Sequence, residues 1–236
     1  MQFQWYLIVI AAVAGYLCGS VSFARVIGRI VAPGEDLSRT EVLVGERKRR
    51  FSFELAGGTN VAHRLGAGYG LLTSLLDLLK VFLPALVFRL LFPEAPYFLA
   101  ASAFGVVGHN WPVFHGFKGG AGLSSTLGGL LVVDPLAVLV TPLAGMVLGL
   151  AVFRDVFVAG SLWVFLLIPW LWLRTRSFWP VAYALAVSLS FLLASLPTFR
   201  QYLRLKREDP QAYRELIGSS HMARGLARIG RLFGMR

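Results

Sequence analysis

The sequence predicts an all-α integral membrane protein with about seven transmembrane helices. Of its 236 residues, 56% are hydrophobic and only 15% are charged, whereas a soluble domain carries roughly a quarter charged residues. The mean hydropathy is +0.67. Charge-free runs recur along the chain, several of them near the ~20 residues that cross a bilayer as a helix. This composition excludes a disordered chain, a collagen, a disulfide scaffold and a typical soluble enzyme.

Seven apolar runs supply the predicted helices: residues 1–24, 65–88, 95–117, 119–133, 135–153, 156–173 and 177–199. The fourth helix, from about residue 122 to residue 133, is too short to cross the bilayer comfortably. A partly re-entrant segment with its ends buried in protein is the alternative for it. Residues 1–199 are therefore expected to form a single membrane-embedded domain.

Basic residues flank these runs and predict the orientation. The net charge is +11; eight of the 23 basic residues lie between Arg25 and Arg64, and nine lie between Arg200 and Arg236. Such clusters are typical of cytoplasmic segments and attract anionic lipids. No nucleic-acid recognition motif accompanies them, so membrane lipids and not nucleic acids are the expected partners. Seven crossings then place the N-terminus outside and the C-terminus in the cytoplasm, with Arg174 and Arg176 as exceptions on the outside.

The last segment, residues 200–236, is predicted to be a basic cytoplasmic tail. Leucine, isoleucine and phenylalanine residues are distributed among its basic residues. This pattern favours an amphipathic helix that lies in the membrane interface. A partly disordered basic tail is the alternative.

One charged pair interrupts the second apolar run. Asp77 and Lys80 are three residues apart and therefore share a face of the helix. Charged groups inside a membrane span are costly unless they are paired or functional. The pair either locks helix packing as a buried ion pair or places Lys80 near an anionic substrate.

The densest polar signal is a glycine-rich segment that follows the third apolar run. Its candidate site residues are His109, Lys118, Gly119, Gly120 and Gly122. Glycines allow successive backbone N–H groups to point at one centre, and a helix start adds positive charge. The segment is therefore a candidate oxyanion site, or else a tight turn that needs glycine for its geometry.

Two more polar, glycine-bearing segments lie on the same predicted membrane face. The first contains Ser20, at the end of the first apolar run. The second precedes the second run and contains Gly57, Thr59, Asn60, His63 and Arg64. The convergence of three such segments predicts a site. No set of His, Cys and carboxylate residues has metal-ligand spacing, so no metal is expected.

These motifs together resemble those of a known family, the bacterial acyl-phosphate:glycerol-3-phosphate acyltransferases (PlsY). In order, they are Gly19-Ser20 with Ile27-Gly28-Arg29, Gly57-x-Thr59-Asn60, Asp77-Leu78-Leu79-Lys80, and Gly108-His109 with Phe117-Lys118-Gly119-Gly120. The resemblance covers about residues 5–200. It implies a seven-helix enzyme of the cell (inner) membrane with its site at the cytoplasmic face. The implied reaction transfers an acyl chain from acyl-phosphate to the sn-1 hydroxyl of glycerol 3-phosphate and yields lysophosphatidic acid, with no cofactor.

The resemblance also implies roles for the candidate residues. Lys118 with Gly119, Gly120 and Gly122 would hold the phosphate of the acyl-phosphate. Glycerol 3-phosphate would be oriented by Arg64, Thr59 and Asn60. Ser20 and His109 would line the site, and Gly57, His63 and Lys80 would complete substrate binding. Of these, Ser20, Arg64, His109 and Lys118 are the candidate catalytic residues.

The chain also departs from the family pattern. Ala121 replaces the second lysine of Lys-Gly-Gly-Lys-Gly, and His63-Arg64 stands where the pattern has its arginine. Tyr202 replaces the asparagine of an Arg-x-Asn element. These differences leave two alternatives to the acyltransferase. One is a diverged paralogue of the same fold that binds a lipid precursor or uses another acceptor, and the other is an anion transporter.

Overall fold

The computed structural model describes residues 4–34, 40–44, 49–53 and 56–219. Its elements are α1 (Trp5–Gly19), α2 (Phe23–Val31), β1 (Thr40–Val44), β2 (Arg49–Phe53), α3 (Gly58–Leu65), α4 (Ala67–Leu91), α5 (Tyr97–Asn110), a 3₁₀ turn (Val113–His115), α6 (Leu123–Val133), α7 (Ala137–Ala151), α8 (Val156–Ser161), α9 (Trp163–Thr175), α10 (Phe178–Glu208) and α11 (Pro210–Ser219). The basic residues at 47 and 48 and the tail residues 220–236 lie outside the described residues.

The helices follow the order of the apolar runs, and the helical membrane fold is confirmed. Within the described residues, three segments are long and apolar enough to cross a membrane: Trp5–Val31, Ala67–Leu91 and Phe178–Glu208. Leu123–Val133, Ala137–Ala151 and Trp163–Thr175 are shorter apolar helices. The first of these shorter helices is the one expected from about residue 122. Prolines lie inside α4, α7, α9 and α10, as is common in membrane helices.

The first apolar run is divided where a single helix was expected. α1 ends at Gly19, and α2 begins at Phe23 after an extended Ser22. The hydroxyl of Ser20 donates to the carbonyl oxygen of Tyr16 at 2.8 Å. A serine that bonds back to the preceding turn competes with helix continuation, so the chain bends at this point.

α1 and α5 cross with their backbones in contact. A Cβ atom added at Gly15 would overlap the carbonyl oxygen of Ala101, and one at Gly19 would overlap that of Gly105. From the other side, a Cβ at Gly108 would overlap the carbonyl oxygen of Tyr16. Small residues at such a crossing are typical of membrane helix pairs, since association there depends on close packing.

A two-stranded antiparallel hairpin adds to the helices. Thr40 pairs with Phe53 and Val44 pairs with Arg49 at its two ends. The basic residues between Arg25 and Arg64 predict a cytoplasmic loop here, without strands. Each strand is only five residues long, which is too short for a clear strand pattern in the sequence, although β-branched and aromatic residues are frequent in both.

The end of the bundle opposite the glycine-rich segments contains a buried carboxylate. Asp134 Oδ2 accepts from Trp170 Nε1 at 3.1 Å and from Arg174 Nε at 3.2 Å, and its Oδ1 accepts from the backbone N–H of Leu136 at 3.1 Å. The charge of Arg174 is therefore paired. This pairing accounts for a basic residue on the side where the charge pattern did not expect one.

α10 passes through the expected domain boundary at residue 199 without a break and ends at Glu208. α11 then folds back against α10, and its Leu216 packs with Phe51 and Tyr202. Part of the basic tail therefore lies against the bundle, at the end that carries the glycine-rich segments.

Candidate active site

A cavity of about 250 Å³ opens at the end of the bundle that carries the glycine-rich segments. Its polar wall comes mainly from α3, α4, α5 and the start of α6, and three further polar side chains come from the last residue of α8 and from the second half of α10. The polar wall is lined by Gly57, Thr59, Asn60, His63, Ser74, Asp77, His109, Gly122, Ser124, Ser161, Ser195 and Thr198. Its apolar wall comes from α8, α10, α11 and the hairpin; Phe51, Val156, Phe157, Phe191, Tyr202, Leu216 and Ile217 line it. The volume is just below the ~300–1,000 Å³ of typical small-molecule sites.

Two helices begin at the polar wall. The N-cap residue of α3 is Gly57 and that of α6 is Gly122, and neither has a side chain to accept from the first-turn N–H groups. Both helix starts line the cavity. The N-terminal end of a helix carries partial positive charge and free N–H donors. Two such ends facing one cavity make its polar wall suited to an oxyanion such as phosphate.

The glycine-rich loop is fixed to α5 by its backbone. The N–H of Gly120 donates to the carbonyl oxygen of His109 at 3.1 Å, and the N–H of Ala56 donates to that of Gly119 at 2.9 Å. A Cβ at Gly119 would lie 2.6 Å from the carbonyl oxygen of Asn110, and one at Gly120 would overlap His109 Nε2. Glycine is therefore required at both positions, because the loop lies directly on the end of α5.

Gly122 has a further requirement, which is a left-handed backbone. Its φ is +85°, and a Cβ would lie 2.5 Å from Asn110 Oδ1. The other end of the Asn110 amide donates to Ser190 Oγ at 2.7 Å. This hydrogen bond ties the end of α5 to α10, and the close approach of Asn110 leaves no room for a side chain at the start of α6.

A buried ionic cluster lies beneath the polar wall. Lys80 Nζ is 2.8 Å from Asp77 Oδ1 and donates to the carbonyl oxygen of Val21 at 2.6 Å. His109 Nδ1 is 3.6 Å from the same Asp77 oxygen. Asp77 and His109 line the cavity, whereas the ammonium of Lys80 is directed to the bend between α1 and α2. The cluster joins α1, α4 and α5 behind the site.

Lys118 is exposed at the turn before the glycines. Its carbonyl oxygen accepts from Arg25 Nη2 at 2.7 Å, and Arg25 Nη1 donates to Ser22 Oγ at 3.1 Å. His115 lies in the same loop; burial and the positive charges of Arg25 and Arg29 lower its pKa below the usual value of 6.5. A neutral His115 at pH 7 avoids adding charge to an already basic surface.

The structure brings together six of the expected site residues at the cavity: Gly57, Thr59, Asn60, His63, His109 and Gly122. Gly119 and Gly120 lie behind His109. Ser20, Arg64, Lys80 and Lys118 are not among the cavity-lining residues. Ser20 is buried at the crossing of α1 and α5, whereas Arg64 and Lys118 are exposed.

Sequence reasoning missed the contribution of α10 to the polar wall. Ser195 is 6% exposed and lines the cavity, and its Oγ has no hydrogen-bond partner within the described part of the chain. Thr198, one turn later, lines the cavity as well. Their spacing of three residues inside an apolar run was the available signal, since it places both hydroxyls on one face of the helix.

Comparison with known proteins gives a consistent result. The sequence model of the family described as glycerol-3-phosphate acyltransferase matches residues 9–208. A glycerol-3-phosphate acyltransferase of Halalkalibacterium halodurans is 32% identical over 213 residues, which cover 88% of this chain and 92% of that relative. One from Aquifex aeolicus is 38% identical over 121 residues, which cover 51% of this chain and 56% of that relative.

Two crystal structures of PlsY (YgiH), an integral membrane glycerol 3-phosphate acyltransferase, share the fold. The glycerol 3-phosphate form has a TM-score of 0.68 and 28% sequence identity, and the lysophosphatidic acid form has a TM-score of 0.67 and 26% identity. Each comparison covers 84% of this chain and 92% of the solved chain. The chain is therefore an integral membrane protein, and it belongs to the glycerol-3-phosphate acyltransferase family.

Proposed function

We propose that this protein transfers an acyl chain from an acyl-phosphate to the sn-1 hydroxyl of glycerol 3-phosphate and so forms lysophosphatidic acid for phospholipid synthesis. The observation that supports this most is the two-sided cavity. Its polar wall holds the starts of α3 and α6, and the apolar side chains of α8, α10 and α11 form its apolar wall, with Ser161, Ser195 and Thr198 as the polar residues on α8 and α10. Such a cavity fits phosphate groups at one side and a hydrocarbon chain at the other.

The reaction needs positioning and charge stabilisation more than a strong base. The sn-1 hydroxyl oxygen attacks the acyl carbonyl carbon, and the bond from that carbon to the phosphate oxygen breaks. The hydroxyl proton leaves with the released phosphate. Preorganised donors that meet the developing negative charge contribute about 3 kcal/mol each. The N–H groups at the starts of α3 and α6 would provide them.

The proposed roles follow the position of each residue. The start of α6, at Gly122, would hold the phosphate of the donor, and Lys118, which is exposed in the preceding loop, would add its positive charge. Thr59, Asn60 and Arg64, all on α3, would orient glycerol 3-phosphate. The buried Lys80 would act through Asp77, because its ammonium already lies against that carboxylate at 2.8 Å.

His109 and Ser20 would lie at different distances from the reacting groups of the substrates. His109 lines the cavity and would contact substrate directly, and Gly57 and His63 line it beside the start of α3. Ser20 would shape the site from outside, because its hydroxyl is used in the bend after α1. Gly119 and Gly120 would keep His109 in place.

We further propose seven crossings of the cell (inner) membrane, with the N-terminus outside and the C-terminus in the cytoplasm. The basic surface around Arg25, Arg29 and Lys118 would then face the cytoplasm with the cavity. The ion pair of Asp134 with Arg174 would lie at the outer face. Reporter fusions that are active only on one side of the membrane, attached after residue 134 and at the C-terminus, test this orientation.

The deciding experiment is phosphate release by the purified, detergent-solubilised protein supplied with palmitoyl-phosphate and glycerol 3-phosphate. We expect release that needs both substrates, yields lysophosphatidic acid and is lost in Lys118→Ala. Arg176→Ala is the matched control, because it also removes one exposed positive charge but lies in the loop between α9 and α10. Full turnover by Lys118→Ala would overturn the role given to Lys118.

One observation favours a second candidate, a diverged paralogue of the same fold. Ala121 lines the cavity at the position where the family pattern has its second lysine. A missing charge there would weaken the hold on an anionic substrate. A folded sample that binds lysophosphatidic acid but releases no phosphate would favour this paralogue over the acyltransferase.

A further inference from the structure

α11 contributes to the cavity although it lies beyond the matched family region. The family match ends at residue 208, and α11 spans Pro210–Ser219. Leu216 and Ile217 nevertheless line the apolar wall. Leu216 is 5% exposed and packs in a cluster with Phe51 of the hairpin and Tyr202 of α10. The wall at this point is therefore made by a segment outside the matched family region.

A chain of hydroxyl groups attaches α11 to α10. The hydroxyl of Tyr202 donates to Asp155 Oδ1 at 2.8 Å, and the hydroxyls of Tyr202 and Tyr213 are 2.5 Å apart. Since the single proton of Tyr202 is used on Asp155, Tyr213 is the donor between the two tyrosines. Burial raises the pKa of Tyr213, so its hydroxyl keeps this proton at neutral pH. Tyr202 is the residue that replaces the asparagine of the family's Arg-x-Asn element.

The same carboxylate also fixes α8. Asp155 Oδ1 accepts from the backbone N–H groups of Phe157 at 2.9 Å and Val158 at 3.1 Å, as an N-cap does. Its Oδ2 pairs with Lys206. Phe157 lines the apolar wall beside Ile217. Asp155 therefore joins the three helices α8, α10 and α11 that form this side of the cavity.

We propose that α11 is a specificity-determining wall for the acyl chain of the donor, an inference that rests on the proposed function. Leu216 and Ile217 contact the hydrocarbon chain, and the Tyr213–Tyr202–Asp155 chain of hydrogen bonds holds them at the cavity. Because apolar contacts are not directional, the wall distinguishes donors by how much of their acyl chain it contacts, and it favours those whose chain is long enough to reach it. Each methylene buried against the wall is expected to raise kcat/KM about 4-fold.

The test compares acyl-phosphates of different length on the purified full-length protein. For each variant, kcat/KM is measured with butyryl-, octanoyl- and palmitoyl-phosphate at saturating glycerol 3-phosphate. The readout is the ratio for palmitoyl-phosphate over the shortest donor that the wild-type protein uses. We expect Leu216→Ala to lower this ratio at least 4-fold, with the KM for glycerol 3-phosphate unchanged. Tyr213→Phe should lower it in the same direction but by less, since the ring remains.

Two controls separate contact from folding. Leu216→Met keeps the volume and should retain the wild-type ratio. Leu203→Ala makes the same substitution at an exposed leucine of α10 and should also leave the ratio unchanged. An equal loss with every donor in Leu216→Ala would show that α11 serves packing alone, and it would overturn the inference while leaving the proposed function intact. Wild-type protein inactive with all donors would overturn both.

Discussion

Replacing Gly120 with alanine tests how closely the glycine-rich loop is fitted to the site. The added Cβ would lie 2.8 Å from the carbonyl oxygen of Ala56, where ordinary van der Waals contact begins at 3.4 Å, and it would overlap His109 Nε2. The first contact alone requires a shift of about 0.6 Å, and the second requires more. His109 or the loop must therefore move by about 1 Å.

A displacement of this size is expected to cost about 100-fold in kcat/KM, because reacting groups must be held within a fraction of an ångström. The assay is phosphate release with palmitoyl-phosphate and glycerol 3-phosphate. Gly68→Ala is the control, since a Cβ at Gly68 meets nothing within 4 Å and alanine favours the helix there. Wild-type kcat/KM in Gly120→Ala would refute the view that contact with His109 positions the loop.

Three further predictions concern charged groups. Asp77→Asn leaves the Lys80 ammonium buried without a carboxylate, so the free energy of unfolding should fall by about 3–5 kcal/mol, which a lower Tm would show. The double variant Asp77→Asn with Lys80→Met should lose less stability, and an equal loss of stability in the two variants would contradict the pairing. Asp134→Ala removes a buried acceptor and should cost about 1–3 kcal/mol, with phosphate release at low temperature unchanged. For His115, an NMR titration should give a pKa below 6.5, and this pKa should rise in Arg25→Gln because a neighbouring positive charge is removed. Since the pKa is lower in the folded than in the unfolded state, protonation of His115 below about pH 6.5 favours unfolding. No rise in Arg25→Gln would count against that assignment of the charge.

The order of the helices and the position of the glycine-rich loop were accessible from sequence. The run at 119–133 was expected to be a short helix, and α6 covers Leu123–Val133. The family resemblance, drawn from motifs at Gly57, Lys118 and their neighbours, is confirmed by the match over residues 9–208. Apolar length and glycine spacing are local properties, so they can be read without knowing which helices touch.

The sequence does not show in the same way which neighbours each side chain faces. The spacing of Ser195 and Thr198 marks one face of α10, but the run around them is apolar on nearly all sides. The sequence therefore does not show whether that face lines a cavity or packs against another helix. Lys80 could have reached a substrate; its ammonium instead reaches the carbonyl oxygen of Val21, 59 residues earlier in the chain. Leu216 sits among basic residues that suggest a membrane-surface helix, and only its packing with Phe51 and Tyr202 places it at the cavity.

The contact between α1 and α5 has a consequence for how the protein is assembled. α1 is synthesised well before α5, yet the backbone that fits against Gly15 belongs to Ala101 of α5. The hairpin, α3 and α4 must therefore leave the ribosome before α1 meets its partner. Until then the small-residue face of α1 rests against lipid, at little cost because lipid tails are as apolar as the helix. Completion of the bundle depends on the arrival of α5. A nascent chain stopped before residue 97 would hold α1 beside α4, where Lys80 donates to the carbonyl oxygen of Val21, with the glycine face of α1 still uncovered.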